Sequence, residues 1–418
     1  RDFCLSRGLG DVYKRQIHHH MITHIESQVD NKDRIAIVIV GYNRLNSIKR
    51  VLSSVETAEF PDDYIPLILS IDCSGDQELY DYVQNYHWMH GQKYVNIHTK
   101  RLGLKKHIFE CCSLSKYFKG VIILEDDSFV SPYFYDYAVS AIDKYGNVDE
   151  VCGISLYVSY NNEYVNLPFS PIQKGGDVFL LQDVQTRGEC FTYNQWKPFE
   201  EWLSKNAERD YKELSMPEKI KTWTKAWSKY FYAYMIESQR YFTFPYQSYV
   251  TNMGAVGEHS SSTVDVVQVP LQWGKKQFVL PDVSELERYD SFYSNECVYR
   301  CLNYKPSELC IDYYGFNPNI LNKRYILSCK PLPYSVIRTF GLHLFPIEMN
   351  IINNVEGDGL YLYDTQLKDK RPCRINRSYL TYSFCKQNPF LMTAYMRMWH
   401  INRIKKGVIK IFKRFRRK

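Results

Sequence analysis

The sequence predicts an α/β fold in which a mostly parallel sheet is flanked by helices. Short apolar runs alternate with amphipathic helical patterns over roughly 100 residues, which is typical of βαβ units. Polar residues collect directly after the apolar runs. The run Val-Ile-Ile-Leu at residues 121–124 has the uniform apolar character of a central strand that is covered on both faces.

The first βα unit comprises a strand over residues 34–40, a tight turn at residues 41–44 and an amphipathic helix. The helix is predicted because apolar side chains recur at helical spacing, at Leu45, Ile48, Val51, Leu52 and Val55. The sequence Gly-x-Gly-x-x-Gly does not follow the strand, which argues against a dinucleotide-binding fold.

Two further units follow the same pattern. A strand over residues 65–71 ends at Asp72 and leads into a helical pattern over residues 77–86. A short strand over residues 94–98 precedes the segment Arg-Leu-Gly-Leu-Lys-Lys and a helical pattern over residues 107–118. Because ligands of open α/β sheets bind at the carboxyl ends of the strands, the residues after each strand are candidates for a site.

The fourth strand ends in three acidic residues, Glu125, Asp126 and Asp127. Adjacent carboxylates repel one another, and this arrangement suits a hard divalent cation that also takes oxygen ligands from substrate phosphates. The alternative is a solvated acidic turn that caps the next helix. The order of the surrounding motifs favours the metal and diphosphate site.

Residues 35 to about 259 resemble the GT-A glycosyltransferases of the family 2 type, in particular a bacterial branch that includes haemolysin-like glycosyltransferases. Five motifs carry the resemblance in the expected order: Val-Ile-Val-Gly-Tyr-Asn-Arg, Ser-Ile-Asp, Arg-Leu-Gly-Leu-Lys-Lys-His, Ile-Leu-Glu-Asp-Asp and Ser-Pro-Tyr-Phe-Tyr-Asp-Tyr-Ala. Glu-Asp-Asp also resembles the variant of the DXD motif in animal N-acetylglucosaminyltransferases. The resemblance implies a GT-A, Rossmann-like fold.

The resemblance also implies roles for the donor-side residues. Tyr42, Asn43 and Arg44 would line the nucleotide pocket, and Asp72 would face the base or ribose. Arg101 would reach the nucleotide or its phosphates. Asp127 would coordinate a metal, and Asp126 and Glu125 would touch the ribose and the donor sugar.

A second segment, residues 244–259, resembles the family's Asn-x-Gly stretch with a later glycine and histidine. There, the resemblance implies that His259 can complete the metal site. An imidazole beside carboxylates and phosphate oxygens suits Mn²⁺, and Mg²⁺ remains an alternative. His259 could equally be an ordinary solvated loop residue.

Family 2 enzymes are inverting, so the resemblance implies a single displacement in which a carboxylate takes the proton of the acceptor hydroxyl. Residues 182–196 align with the acceptor-side segment of relatives, but Arg187 stands where tryptophan is expected and Glu189 where glutamine is common. Glu189 is the candidate base, and Asp183 and Glu237 are fallbacks. All three could equally be surface acids.

The predicted organisation has four parts. Residues 1–32 form an N-terminal segment, of which residues 1–20 resemble a cloning artefact ahead of Met21. Residues 33–290 form the GT-A domain, residues 291–398 a smaller C-terminal module of undisclosed role, and residues 399–418 a basic tail.

The tail accounts for the positive charge of the chain. Its last 18 residues hold nine Lys or Arg residues and no acid, against a formal net charge of +7 for the whole chain. Apolar residues recur at helical spacing within it, which predicts a basic amphipathic helix on an anionic membrane surface. A solvated tail is the alternative. Nucleic-acid binding is not expected, because the sequence shows no nucleic-acid module.

The twelve cysteines include no Cys-x-x-Cys pair, and no apolar run approaches the ~18 residues of a membrane span. We therefore expect a cytoplasmic protein, peripheral at the inner face of the membrane. The expected function is transfer of a sugar from a UDP- or GDP-linked donor to a glycan or lipid-linked acceptor in bacterial surface-polysaccharide synthesis. A sugar nucleotidyltransferase and an inactive carbohydrate-binding or assembly protein are the alternatives.

Overall fold

A computed structural model describes residues 29–61, 64–224, 226–254 and 267–386. The chain divides into two compact units. The first contains the residues up to 160 together with residues 171–296, and the second contains residues 161–170 together with the residues from 297 onward. The predicted N-terminal artefact, residues 1–20, and the predicted basic tail, residues 399–418, lie outside the described residues.

The strands and helices are named in chain order. The strands are β1 (Ile35–Gly41), β2 (Leu67–Ile71), β3 (Lys93–Ile97), β4 (Gly120–Glu125), β5 (Ser128–Val130), β6 (Val151–Ser155), β7 (Asn161–Asn162), β8 (Leu167–Pro168), β9 (Val178–Leu181), β10 (Glu189–Phe191), β11 (Tyr241–Pro245), β12 (Val250–Asn252), β13 (Arg288–Tyr289), β14 (Leu309–Asp312), β15 (Tyr325–Ser328), β16 (Tyr334–Phe340) and β17 (Leu360–Lys368). The helices are α1 (Leu45–Glu56), α2 (Gln77–Asn85), α3 (Leu104–Ser113), α4 (Phe134–Tyr145), α5 (Tyr193–Asn206), α6 (Glu218–Lys221), α7 (Ser228–Glu237), α8 (Glu296–Leu302), α9 (Glu348–Ile352) and α10 (Arg377–Leu380).

A nine-stranded sheet is the centre of the first unit, with the strand order β13-β9-β11-β6-β10-β4-β1-β2-β3. Strand β1 lies between β2 and β4 and is parallel to both, and β3 is parallel to β2. Strand β10 is inserted antiparallel between β4 and β6. Since β6–β11 and β9–β13 are also parallel and only β9–β11 adds a further antiparallel pair, the sheet is mostly parallel.

Burial explains why the apolar runs form the central strands. Every residue of β1 and of β2 is buried. Apolar residues of β1, β2 and β4 pack with the buried faces of α1, α2 and α4 in one hydrophobic core. The predicted α/β fold with a large, mostly parallel sheet and flanking helices is therefore confirmed.

Two elements differ from the sequence prediction by two residues or more at a boundary. The helix predicted over residues 107–118 begins at Leu104 and ends at Ser113, and a 3₁₀ turn over Leu114–Lys116 follows it. Gly103 has φ of 76°, and this left-handed residue turns the chain into the helix. The strand predicted from residue 65 begins at Leu67, since Pro66 has no N–H to donate to a sheet.

The second unit contains a four-stranded sheet with the order β14-β15-β17-β16 and a small hairpin, β7–β8. Strands β14 and β15 are parallel, whereas β17 is antiparallel to both β15 and β16. Ile326, Tyr361 and Tyr363 form a buried cluster in this unit. Among the described residues, no helix is long and apolar enough to cross a membrane.

Candidate functional site

A cleft lies at the carboxyl ends of the parallel strands β1, β2 and β4. It has a volume of about 100 Å³. Its lining consists of residues that end or follow these strands, or that lie in or just before the first turns of the next helices: Val40, Gly41, Tyr42, Asn43, Arg44, Asp72, Arg101, Gly103, Leu104, His107, Glu125 and Asp126. All seven residues that the sequence predicts for donor binding are therefore brought together, although they span more than 80 positions of the chain.

Two helices begin at this cleft. Helix α1 starts immediately after Arg44 and α3 immediately after Gly103, and both of these N-cap residues line the cleft. In the described structure, neither N-cap residue bonds the first helical amides through a side chain. The partial positive charge of two helix N-termini therefore favours an anion here, because amide N–H groups at that end lack partners within the helix.

Asp72 fixes one wall of the cleft through backbone hydrogen bonds. Its carboxylate accepts from the amides of Cys73 and Leu102 at 2.8 Å and from that of Gly103 at 2.9 Å. The side chain is 4% exposed. Asp72 thus ties the loop before α3 to the end of β2, and both of its oxygens are engaged in that task. Its contact with a base or ribose stays a prediction.

The opposite wall is formed by the Glu-Asp-Asp sequence and Arg44. The Arg44 guanidinium donates to both carboxylate oxygens of Asp126, with Nε 3.1 Å from Oδ2. It also donates from Nη1 to Oδ2 of Asp127 at 3.2 Å. Asp126 is 4% exposed, so this fork-shaped pairing supplies the partner that a buried charge requires.

Burial and mutual repulsion shift the titration of these acids. Burial raises the pKa of Asp126 to about 6, and the Arg44 guanidinium opposes that rise. Burial, followed by the charges of Asp127 and Asp126, raises the pKa of Glu125 to about 8. The cluster therefore holds its negative charges at a cost, and an additional cation would relieve it.

Asp127 is positioned by strand β12, which pairs with β5 directly after the acids. Oδ1 of Asp127 accepts from Asn252 Nδ2 at 2.9 Å, and the Asp127 carbonyl accepts from the Met253 amide at 2.8 Å. The Asn252 side chain also accepts from the Gly254 amide at 2.7 Å. Asn252 belongs to the Asn-x-Gly motif, whose pattern predicts no role for it, and the structure adds it to the site.

The carboxylates fit a divalent cation on chemical grounds. Mg²⁺ and Mn²⁺ are commonly held by one or two carboxylates together with substrate phosphates and water. Asp127 and Asp126 can supply such oxygens. Within the described residues, no group of three or more His, Cys, Asp or Glu side chains is arranged to hold a metal. His259 lies outside the described residues, and its role as a ligand stays a prediction.

The cleft has an aromatic and cationic rim. The Arg101 guanidinium lies over the Tyr42 ring, 4.6 Å from its centroid. Asn43, between Tyr42 and Arg44, is exposed. The rim therefore presents a ring face, a positive charge and an amide to a ligand in the cleft.

His107 lines the cleft, although the sequence pattern did not predict it as a site residue. It is 2% exposed, and its Nε2 lies 2.8 Å from Ser70 Oγ. Burial lowers the pKa of His107 to about 3, so the imidazole is neutral at physiological pH. His107 is part of the motif Leu-Lys-Lys-His, but the helical pattern alone does not show which side chain of that motif faces the cleft.

Two of the three predicted acceptor-side acids, Glu189 and Asp183, lie inside the protein, whereas Glu237 is exposed. Glu189 is 0% exposed on β10, between β4 and β6, and burial raises its pKa well above the ordinary range. Asp183 is 1% exposed and accepts a 2.6 Å hydrogen bond from Tyr293 Oη. Glu237 pairs with Arg209 at 2.6 Å. The structure therefore does not place these three at the cleft surface, and the role of Glu189 as a base stays a prediction.

Arg187, for which the resemblance implies tryptophan, lies close enough to Glu125 for its charge to act on that carboxylate. Its guanidinium is 5.1 Å from the centroid of the Tyr157 ring and donates to Gln185 Oε1 at 2.7 Å. Its positive charge lowers the pKa of Glu125, against the larger effect of burial. The acidic sequence is thus flanked by a second arginine.

Comparisons with known proteins find structural similarity only. No family profile matches the chain, and no curated protein sequence matches it. S. aureus TarS 1–349 in complex with UDP-GlcNAc matches with a TM-score of 0.35 and 14% identity, over 55% of this chain and 61% of that one. The match thus spans less than two thirds of TarS 1–349.

Two further solved structures are similar at the same level. The mannosyltransferase PcManGT from Pyrobaculum calidifontis, in complex with GDP-Man and Mn²⁺, has a TM-score of 0.32 and 11% identity, over 57% of this chain and 64% of that one. GalNAc-T7 with UDP, GalNAc and Mn²⁺ has a TM-score of 0.34 and 14% identity, over 52% and 43%. These neighbours are glycosyltransferases. Because similarity of this degree carries no argument about activity, the functional proposal rests on the cleft.

Proposed function

We propose that this protein is a metal-dependent, inverting glycosyltransferase of the GT-A, family 2-like type. It transfers a sugar from a UDP- or GDP-linked donor to a glycan or lipid-linked acceptor in bacterial surface-polysaccharide synthesis. The donor binds in the cleft at the carboxyl ends of β1, β2 and β4. Tyr42, Asn43 and Arg101 bind the nucleotide, and Asp127 holds the metal.

One observation carries the proposal. A single cleft combines two helix N-termini, two arginines and an acidic cluster at the edge of a parallel sheet. Helix N-termini and arginines bind phosphate groups, and carboxylates supply oxygen ligands to a divalent cation. A ligand that presents both a diphosphate and a divalent cation satisfies both halves, and a nucleoside-diphosphate sugar is such a ligand.

The residues of the cleft suit the charge that develops during transfer. When the sugar leaves, negative charge grows on the diphosphate, and the N-termini of α1 and α3 together with Arg101 oppose it. A bound Mn²⁺ or Mg²⁺ supplies Lewis-acid stabilisation of the same charge. Asp126 and Glu125 orient the ribose and the sugar. Inversion additionally requires a base for the acceptor hydroxyl, for which Glu189 is the proposed residue and Asp183 the fallback.

A screen of nucleotide sugars tests the proposal. The melting temperature of the purified chain should rise with a UDP- or GDP-sugar, and rise further with Mn²⁺, because a ligand that binds the folded state stabilises it. The corresponding nucleoside monophosphates are the control, since they lack the second phosphate. If no nucleoside-diphosphate sugar shifts the melting temperature with or without Mn²⁺, the proposal fails.

A protein that binds the donor without transferring its sugar is the second candidate function. It is favoured by the burial of both Glu189 and Asp183, and by the ion pair that the third predicted acid, Glu237, forms with Arg209. Donor turnover separates the two functions. A transferase should release the nucleoside diphosphate from a bound sugar donor, at least by slow hydrolysis, whereas a binding protein should leave the donor intact over many hours.

The place of action is also a proposal. The nine basic residues of the tail support peripheral attachment to anionic lipid on the cytoplasmic face. Sedimentation with vesicles tests this attachment. The full chain should bind vesicles that contain anionic lipid and not vesicles of neutral lipid, and a chain shortened after residue 398 should bind neither. Equal binding of both chains would exclude the tail as the anchor.

A further inference from the structure

Arg44 binds two of the three residues of the acidic cluster. The acidic cluster comprises Glu125, Asp126 and Asp127. Asp127 is its proposed metal ligand, and both of its carboxylate oxygens already accept hydrogen bonds: Oδ1 from Asn252 at 2.9 Å and Oδ2 from Arg44 at 3.2 Å. Arg44 also binds both oxygens of Asp126.

These contacts make the guanidinium and a divalent cation alternatives at the acidic cluster. The conflict is one of charge, because each Asp127 oxygen keeps a second lone pair beside the bond from Arg44 or Asn252. A cation on Asp127 would stand within a few ångströms of the guanidinium charge, in a part of the protein where Asp126 is 4% exposed and solvent screens charges poorly. Asn252 is neutral and can stay in place, so Arg44 is the partner that has to leave.

Arg44 also lines the cleft in which the diphosphate is proposed to bind. It is the N-cap residue of α1 and belongs to the cleft lining, and its side chain is 22% exposed. A diphosphate at the N-termini of α1 and α3 would offer oxygens in the geometry that a guanidinium fork prefers. Lysine lacks this fork, although it carries the same charge.

We propose that Arg44 competes with a divalent cation for the acidic cluster, and that the diphosphate of the donor ends this competition by taking over the guanidinium. Arg44 is then a positioning residue that couples metal binding to donor binding. The inference rests on the proposed function for the diphosphate, while the competition itself concerns only Arg44, Asp126 and Asp127. In the absence of a nucleotide, Arg44 keeps the affinity of the cluster for metal low.

Mn²⁺ binding without nucleotide tests the competition. Electron paramagnetic resonance of free Mn²⁺ gives the dissociation constant for the purified chain. Arg44→Gln should bind Mn²⁺ about tenfold more tightly than the wild type, which is an ordinary size for a coupling between two sites. Arg44→Lys keeps a positive charge and should stay close to the wild type. Unchanged or weaker binding by a folded Arg44→Gln variant would overturn the inference.

Two matched variants locate the effect. Arg50→Gln makes the same charge change on α1 but removes a residue whose Nη2 bonds Ser47 Oγ at 3.2 Å, so its Mn²⁺ affinity should equal that of the wild type. In the double variant Arg44→Gln/Asp127→Asn, the tight Mn²⁺ binding should disappear. If Arg50→Gln tightens binding as much as Arg44→Gln, the effect is one of general charge and the inference is wrong.

Nucleotide coupling completes the test and separates it from the proposed function. UDP and GDP should raise the Mn²⁺ affinity of the wild type. They should raise the Mn²⁺ affinity of Arg44→Gln much less. Both affinities are corrected for the nucleotide–Mn²⁺ complex that forms without protein. If UDP or GDP binds normally but Arg44→Gln leaves Mn²⁺ affinity unchanged, the inference falls and the proposed function stands. If Arg44→Gln tightens Mn²⁺ binding but neither nucleotide binds any variant, the competition stands and the proposed function falls.

Discussion

Both carboxylate oxygens of Asp127 accept hydrogen bonds, so a substitution of Asp127 is the most direct test of the proposed metal ligand. Asn252 and Arg44 fix its two oxygens, so its carboxylate is oriented before any ligand binds. Asp127→Ala should abolish the part of donor binding that depends on Mn²⁺, while weak metal-independent binding through the helix N-termini remains. Calorimetric titration of UDP with and without Mn²⁺ measures both parts.

A control variant separates loss of the metal ligand from loss of the turn. Asn252→Ala removes the bond to Oδ1 of Asp127 but leaves the carboxylate, so it should weaken Mn²⁺-dependent binding only several-fold. The assignment of Asp127 would be wrong if Asp127→Ala retained the full Mn²⁺ effect. It would also be wrong if Asp127→Ala and Asn252→Ala lost equal amounts of Mn²⁺-dependent binding.

In the described structure, Asp72 accepts hydrogen bonds from backbone amides, and a variant can show whether it also contacts the nucleotide. Asp72→Ala leaves the amides of Leu102 and Gly103 without acceptors and loosens the loop that carries Arg101. We expect the free energy of unfolding to fall by about 2 kcal/mol, since buried donors lose charged partners. Nucleotide affinity should fall as well, and thermal unfolding with and without UDP measures the two effects.

Asp76→Ala is the matched control for that measurement. Asp76 caps α2 by accepting from the Leu79 amide at 3.1 Å, and it does not line the cleft. Its loss should cost about 1 kcal/mol of stability and leave UDP affinity unchanged. If Asp72→Ala loses UDP affinity while its unliganded stability equals that of the wild type, Asp72 contacts the nucleotide directly and the loop explanation is wrong.

At the scale of elements, close packing at the centre of the sheet predicts that an added side-chain atom there lowers stability. Gly153 lies in β6, and a Cβ atom there would lie 2.5 Å from Cε1 of Phe242 and 2.9 Å from Cε1 of Phe191. Because both rings are fully buried, Gly153→Ala should lower the free energy of unfolding by about 2 kcal/mol. Urea denaturation measures it.

Gly274→Ala supplies the contrast for this substitution. A Cβ atom at residue 274 would meet nothing within 4 Å, so the variant should be as stable as the wild type. Equal stability of Gly153→Ala and the wild type would mean that β6 and its neighbours shift readily. The close packing of β6 against Phe242 and Phe191 would then not limit stability.

The sequence predicted which residues line the cleft because most of them follow uniform apolar strands. The runs that became β1, β2 and β4 fix where Arg44, Asp72 and Glu125 lie, since parallel strands end at the same edge of a sheet. The predicted acceptor-side segment, residues 182–196, contains no comparable apolar run. Strand β10 has only three residues and is inserted antiparallel, so the sequence pattern did not predict that Glu189 would be buried between β4 and β6.

At the scale of the whole molecule, the two units are not contiguous in sequence. Residues 161–170 belong to the second unit, although the residues on both sides of them belong to the first. Within the second unit, the Tyr164 ring stacks on Phe316 with centroids 6.1 Å apart, and Pro168 accepts a hydrogen bond from Tyr314. Ending the chain at residue 296 would therefore remove the partners of the hairpin β7–β8.

The acidic cluster also makes the stability of the whole protein depend on pH. The ordinary pKa of a glutamate, 4.5, applies to Glu125 in the unfolded chain, whereas the folded value is raised to about 8. Between these two values the folded state binds a proton that the unfolded state has lost. Stability is therefore highest at low pH in this range and falls as the pH rises through 8.

Melting temperatures recorded in EDTA from about pH 5 to about pH 9 measure this dependence. The wild type should lose stability as the pH rises. Glu125→Gln should lose less, because glutamine mimics the protonated carboxyl, and Glu213→Gln, which alters an exposed surface acid, should follow the wild type. Mn²⁺ should flatten the wild-type curve, since a cation beside the cluster stabilises its ionised form. If the curves of Glu125→Gln and the wild type run parallel in EDTA, the raised pKa of Glu125 is not what limits stability at neutral pH.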